Sequence, residues 1–280
     1  MRSDVDISIG VELERGKEYF TQDCGQALKK LRNFLIESKG IDEKYLVFIP
    51  AKIPILKFID ENTGLKAELS INNELGIENT KLLKLYMKID LRAKYLCILM
   101  KVMARESQMG NRGLSSYAYT LLVIFYLQKC EPPVLPVLQE LPNDDDHPQN
   151  IIQGYDAYFL NNLENVRSCW PNGEKNVESV STLWVDLLCF YSERFDFGHQ
   201  VVSIRQSKPL LKSEKRWFGH NMAIEDPFDV NRNFGVNISR KVNNRIFNMF
   251  VNARNRFATA TSTNDNLDYY INIPSSTIIH

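Results

Sequence analysis

Apolar and polar positions alternate through residues 3 to 13, the period of a half-buried strand, with Val5 and Ile7 on one face and Asp4 and Asp6 on the other. From Gly16 to Ser38 the spacing becomes helical, and Phe20, Ala27, Leu28, Leu31, Phe34 and Leu35 form a stripe between charged faces. Tyr45 to Ile49 and Lys52 to Ile59 read as two further strands, closed by the turn signal Glu61-Asn62-Thr63-Gly64. Lys66 to Ile71 alternates again, with Glu68 on one face and Ala67 and Leu69 on the other. Strand, helix and three strands predict an α/β unit of the kind that carries a metal site on one sheet face.

After Asn79 the pattern changes to successive helices. Asn79 and Thr80 are suitable N-caps, and Lys81 to Met87, Arg92 to Arg105 and Ser115 to Gln128 each carry a helical period. The last is apolar almost all round, which predicts the central helix of a second, helical domain; Glu131-Pro132-Pro133-Val134-Leu135-Pro136 stops it. Further helices are expected over Val177 to Phe195 and Ser239 to Phe257, with the turn-prone acidic segment Ile224-Glu225-Asp226-Pro227-Phe228-Asp229 between them. Pro142 to Asn150 reads as a surface loop whose Asp144-Asp145-Asp146 is solvated, and the Ser/Thr/Asn-rich tail from residue 259 to 280 is expected to be poorly ordered.

Composition narrows the class. Lysine plus arginine equals aspartate plus glutamate at 34 each in 280 residues, so no global basic signature marks a nonspecific nucleic-acid binder. The 44% hydrophobic content belongs to a globular chain. Five scattered cysteines with no Cys-x-x-Cys pair argue against a disulfide framework or a zinc site. The run Leu114 to Leu127 is too short to span a bilayer, and no charged-then-apolar leader opens the chain, so the expectation is a cytoplasmic protein without membrane association.

Asp4 and Asp6 carry the first chemical signal, because two carboxylates on one strand face suit a hard cation such as Mg²⁺ that also binds substrate phosphates. Lys101 and Arg105 stand i, i+4 on one helix face, where they could grip phosphates. Arg240-Lys241 with Arg245, Arg254 and Arg256 is the densest basic cluster and could steer an RNA backbone.

Separated stretches then line up with one family. Ser3-Asp4-Val5-Asp6, Ala67-Glu68-Leu69-Ser70, Asn79-Thr80, Gly113-Leu114-Ser115-Ser116-Tyr117-Ala118-Tyr119 and Ile224 to Asp229 resemble the motifs of the noncanonical RNA nucleotidyltransferases of the DNA polymerase β superfamily. Pro132 to Glu140, Phe190-Tyr191, Phe195-Asp196-Phe197 and Ser239-Arg240-Lys241 are most similar to the catalytic module of the zinc-knuckle-containing terminal uridylyltransferases. The resemblance runs from Arg2 to Phe257. It implies an α/β plus α fold: a polymerase β-like nucleotidyltransferase sheet domain over residues 1–78, followed by a helical poly(A) polymerase-associated domain over residues 79–258.

The implied activity is template-independent addition of uridylates from UTP to an RNA with a free 3′-hydroxyl, by a monomer using Mg²⁺ or Mn²⁺, with an RNA-targeting protein partner left open. By that resemblance Asp4 and Asp6 hold the metal with Glu68 as third carboxylate, and Asn79 and Thr80 contact ribose and base. Lys101, Arg105 and Ser116 contact the triphosphate, and Tyr117 stacks on the base. Asp226 and Asp229 belong to the loop that closes over the base edge.

Four departures accompany the likeness. Glu68 replaces an aspartate, Arg232 stands where the uridylyltransferases place a histidine, and neither the Gly-Ser turn before the first catalytic strand nor a zinc knuckle occurs. Arginine is a pure donor, which suits the uracil O4 acceptor and keeps UTP the expected substrate. The missing turn suggests an N-terminally truncated copy. A poly(A)-adding enzyme of the same fold and a catalytically impaired RNA- or protein-binding module are the alternatives.

Overall fold

The computed structural model describes residues 5–11, 21–107, 113–142, 150–171, 173, 175–219 and 221–262. Two compact units make up the chain, Met1–Thr80 with Ile152–Gly154, and Lys81–Ile151 with Tyr155–His280.

In the first unit β1 (Val5–Ile9) is followed by α1 (Thr21–Lys39), a 3-10 turn at Glu43–Tyr45, β2 (Leu46–Ile49), β3 (Ile55–Ile59) and β4 (Lys66–Ile71). The strand order is β1-β4-β3-β2, with β1 parallel to β4 and the other neighbours antiparallel. A parallel neighbour needs a crossover, and the long path through α1 and the β2–β3–β4 meander supplies it. Leu28 of α1 packs with Leu46, Leu56 and Ile71, and Ile9, Phe48, Phe58 and Leu69 join them from the same sheet face. Burying a side chain such as Leu28 or Leu56 contributes about 1.5–3 kcal/mol, enough to fix which face α1 covers. The period-two pleat therefore turns Asp6, Glu68 and Lys57 to the opposite face.

Helix α2 (Glu74–Ile89) begins earlier than the sequence pattern suggests. Its cap is Asn73, whose Oδ1 accepts from the Gly76 amide at 3.1 Å, so Asn79 and Thr80 lie inside the helix rather than at its start. The division between the units also falls inside this helix.

The second unit continues with α3 (Leu91–Glu106), α4 (Ser116–Lys129), the two-residue strands β5 (Ile151–Ile152, whose last residue belongs to the first unit) and β6 (Tyr155–Asp156), then α5 (Leu163–Cys169) and α6 (Val180–Cys189). Helix α4 is central as its composition predicts: Ala118 through Gln128 are all buried. The helix expected to run to Phe195 instead passes into a π-turn at Phe190–Arg194. That turn lets Phe190, Tyr191, Phe195 and Phe197 collect into one aromatic cluster with Phe125 and Phe250, and the buried Tyr191 hydroxyl donates to the Leu122 carbonyl at 2.6 Å.

A small sheet follows, β7 (Gln200–Val202) between antiparallel β8 (Leu210–Leu211) and parallel β9 (Ala223–Ile224), with the one-turn helix α7 (Lys212–Lys215) after β8. Helix α8 runs over Arg240–Ser262, so the segment expected to be tail from residue 259 begins as helix. The remainder of that tail, residues 263–280, lies outside the described residues, as do residues 143–149 of the acidic loop with its three aspartates. No helix among the described residues is long and apolar enough to cross a membrane.

Candidate active site

The charged face of the first unit is set by strand register. Asp6 on β1 pairs with Glu68 on β4, which pairs in turn with Lys57 on β3, so the three occupy one row across the sheet. Directly opposed residues share a face, with Cβ atoms about 4.5–5.5 Å apart in antiparallel pairs. Lys57 Nζ reaches Glu68 Oε1 at 2.6 Å. Asp6 is exposed, and its expected companion Asp4 lies outside the described residues. The end of β1 is braced by Asn72, which adopts a φ of 47° and exchanges hydrogen bonds with Val11 at 2.8 and 3.3 Å. The Ser8 hydroxyl accepts from the Asn73 amide at 3.0 Å, which ties β1 to the start of α2.

Two carboxylates on an exposed face are oxygen donors of the type Mg²⁺ and Mn²⁺ take, so the donor chemistry fits a hard divalent cation. Among the described residues, no group of three or more metal-ligating side chains comes together.

Within α2, Thr80 is exposed and its hydroxyl donates to the Gly76 carbonyl one turn back, at 2.9 Å; Asn79 beside it is half-buried. On α3, Lys101 and Arg105 are both exposed, one turn apart. The Lys101 charge opposes the effect of burial on Cys97, whose thiol is nonetheless pushed up to about 12. Ser115 caps α4, its hydroxyl accepting from the Ala118 amide at 3.2 Å, which leaves Ser116 exposed in the first turn.

Tyr117, next along α4, meets the ring of Phe234 edge-on with centroids 5.3 Å apart. Burial raises its hydroxyl well above the ordinary tyrosine pKa, and the Asp226 carboxylate adds to the rise. Neighbouring Tyr119 is a core residue, and among the described residues its buried hydroxyl has no hydrogen-bond partner.

Asp226 is only 2% exposed. Its Oδ1 accepts from the amides of Phe228 and Asp229 at 2.9 and 3.1 Å, and its own amide donates to the Arg232 carbonyl at 3.1 Å. Burial raises its pKa; the two backbone donors and the Arg232 charge oppose that rise. Asp229 is buried as well, and its carbonyl accepts from the Arg232 amide at 2.8 Å. Arg232 places its guanidinium carbon 4.7 Å from the Phe234 ring centroid, with Nη1 3.9 Å from Asp226 Oδ2. Tyr117, Asp226, Arg232 and Phe234 thus form one cluster, in which the arginine is directed by a buried carboxylate and an aromatic face.

Sequence reasoning misses the supports of this loop. Glu225, 4% exposed, accepts from the Ser203 hydroxyl at 2.6 Å and pairs with Lys215 at 2.8 Å. Gln139 and Arg205 both donate to the Pro227 carbonyl, at 3.0 and 2.8 Å. Gly235 is required by packing, since a Cβ there would lie 1.6 Å from the Met222 carbonyl oxygen. On the sheet, Lys57 was missed as well although it was accessible to inference: an antiparallel hairpin across the 60–65 turn places it opposite Glu68.

The mixed four-stranded sheet covered on one face by α1, joined in sequence to a helical unit that holds a buried acidic loop, defines a polymerase β-like nucleotidyltransferase. Residues 1–88 match the family described as the central palm domain of mitochondrial-like poly(A) RNA polymerase, and residues 179–232 match the Cid1 family of poly(A) polymerases. The chain is 40% identical over 262 residues to human terminal uridylyltransferase 7, covering 91% of this chain and 17% of that protein. It is 41% identical to mouse terminal uridylyltransferase 4 over 259 residues, 91% of this chain and 16% of that one. It therefore spans about a sixth of the length of these curated relatives. A crystal structure of the Cid1 poly(U) polymerase superposes with a TM-score of 0.77 at 30% identity, covering 90% of this chain and 76% of that one. The chain belongs to the Cid1 family of RNA nucleotidyltransferases, within the DNA polymerase β superfamily.

Proposed function

We propose that this chain transfers uridylate from UTP to the 3′-hydroxyl of an RNA without a template, as a cytoplasmic enzyme that uses a divalent cation. The observation that carries the reading is the register setting Asp6 beside Glu68 on the exposed sheet face, in a chain 40% identical to a terminal uridylyltransferase. Asp4, Asp6 and Glu68 would hold the cation. When bound, Mg²⁺ or Mn²⁺ supplies activation of the attacking hydroxyl and charge neutralisation on the leaving pyrophosphate.

The remaining residues bind and orient. Lys101 and Arg105 offer two exposed cations one turn apart for the triphosphate, and Ser116 offers a hydroxyl in the first turn of α4. Tyr117 serves as the base platform, with Phe234 against its edge. Asn79 and Thr80 contact the ribose, where a polar group distinguishes a 2′-hydroxyl. Asp226 and Asp229 shape the base-edge loop, and Asp226 directs Arg232, whose donors suit uracil O4 and not the adenine amino group.

Turnover of a 3′-hydroxyl RNA with each of the four triphosphates separately, in Mg²⁺, tests this reading. UTP is expected to be used fastest. A preference for ATP would establish instead the poly(A)-adding reading, which the names of both matched families favour. No extension with any triphosphate would point to a binding module.

A further inference from the structure

A second cleft lies on the other side of the segment that carries Arg232. Along residues 231–235 the side chains divide: Arg232 and Phe234 join the Tyr117 cluster, while Asn231, Asn233 and Gly235 line a cleft of about 340 Å³. Its opposite wall is Arg216, Trp217, Phe218 and Gly219, which follow α7.

The chemistry of that wall is specific. Trp217 is anchored, packing on Val201, Leu210 and Ala223 with the Lys215 ammonium 5.1 Å from its ring centroid. Phe218 beside it is 80% exposed, an unfavourable position for a large aromatic. Arg216 sits in the left-handed region at a φ of 56°, a conformation that strains a residue bearing a Cβ. Among the described residues its side chain has no hydrogen-bond or ion-pair partner, and neither does that of Asn231.

Among the described residues, no acidic residue lines the cleft. Asn221, also at its edge, donates to the Ile238 carbonyl, two residues before α8 begins at Arg240 and Lys241. An exposed aromatic face, a strained and unpaired arginine and side-chain amides, with no acidic residue among the described lining, together match one ligand. A flat base can stack on the ring, its edge can hydrogen-bond the amides, and its phosphate can meet the guanidinium.

We propose that this cleft binds an unpaired nucleotide of RNA, stacking its base on Phe218 and pairing its phosphate with Arg216. The proposal adds an RNA contact to the transferase reading, and its test measures binding alone, so either can fail without the other.

The test is fluorescence anisotropy of a labelled single-stranded oligouridylate titrated with the full chain over a range of salt, with melting temperature and UTP affinity as controls. Phe218→Leu keeps apolar bulk but removes the π-face, and it should weaken RNA binding about tenfold. Phe218→Tyr should bind as the parent does. Arg216→Gly relieves the left-handed strain, so it should melt no lower than the parent while the slope of log affinity against log salt falls by about 1. Parent-like affinity in Phe218→Leu, as expected of an apolar surface for a protein partner, overturns the proposal. An unchanged salt slope in Arg216→Gly overturns it equally.

Discussion

Asp6 stands exposed on β1 beside a glutamate that Lys57 holds, whereas Asp226 is buried to 2% exposure and accepts two backbone hydrogen bonds. In the proposed function the two carboxylates answer different demands. A group that takes up a hydrated cation must keep its charge and exchange water readily, and exposure lets it do both at little cost. A group that fixes the edge of a base pocket must not move; backbone donors immobilise it, while burial disfavours its charged form. Substitution should therefore separate activity from stability in opposite ways at the two positions.

The largest effect is expected at the exposed site. Asp6→Asn removes a charge where no burial depends on it, so the melting temperature should stay within a degree or two, on the ordinary scale of surface changes of about 0.5 kcal/mol. Uridylate incorporation should fall at least about 100-fold, since a charge-stabilising group acting at the transition state is lost. Retained activity in Asp6→Asn would remove this row of residues from the chemistry.

At the buried site substitution should raise stability instead of leaving it level. The pKa of Asp226 is raised in the folded chain from a reference of 3.8, because burial disfavours its charged form. The unfolded chain releases this proton first, so the group contributes fully at pH below 3.8, and that contribution is lost as pH rises through the folded value. Asp226→Asn keeps an Oδ1 acceptor for Phe228 and Asp229 but abolishes the charge. It should melt higher than the parent at neutral pH, with the difference shrinking as the solution is acidified toward pH 4. UTP affinity should drop about tenfold as Arg232 loses the charge that directs it. A lower melting temperature at neutral pH would mean that the Arg232 attraction outweighs burial.

How much of this was legible in sequence follows from periodicity. The order of β1, α1 and the three following strands, and the buried all-round α4, could be read because each covers several periods of an apolar pattern. The start of α2 was displaced because Asn73, Asn79 and Thr80 are all competent caps, and only tertiary contacts decide among them. Strands β7, β8 and β9 have two or three residues each and show no period, so the sheet beside the Asp226 loop was invisible. Asp226, Asp229 and Arg232 could be singled out by resemblance, but Phe234, Glu225 and the Pro227 carbonyl clamp depend on packing between segments far apart in the chain.

The smallest predicted effect bears on Glu68, the position where an aspartate was expected. Lys57 holds its carboxylate at 2.6 Å, with the two side chains 45% and 27% exposed, so the pair itself contributes no more than about 1 kcal/mol. Its electrostatic influence on a cation is a separate matter. Lys57 places a positive charge one strand from Glu68 and two from Asp6, in the same row, and repels any divalent ion drawn to those carboxylates. Lys57→Met keeps the stem and removes the charge, so it should leave the melting temperature nearly unchanged while tightening Mn²⁺ binding about threefold to tenfold, measured by water-proton relaxation. The gain should shrink with added salt, because an exposed row is screened. If Mn²⁺ affinity is unchanged at low salt, Glu68 lies outside the cation's field and serves the sheet alone. The third carboxylate would then have to come from elsewhere in the chain.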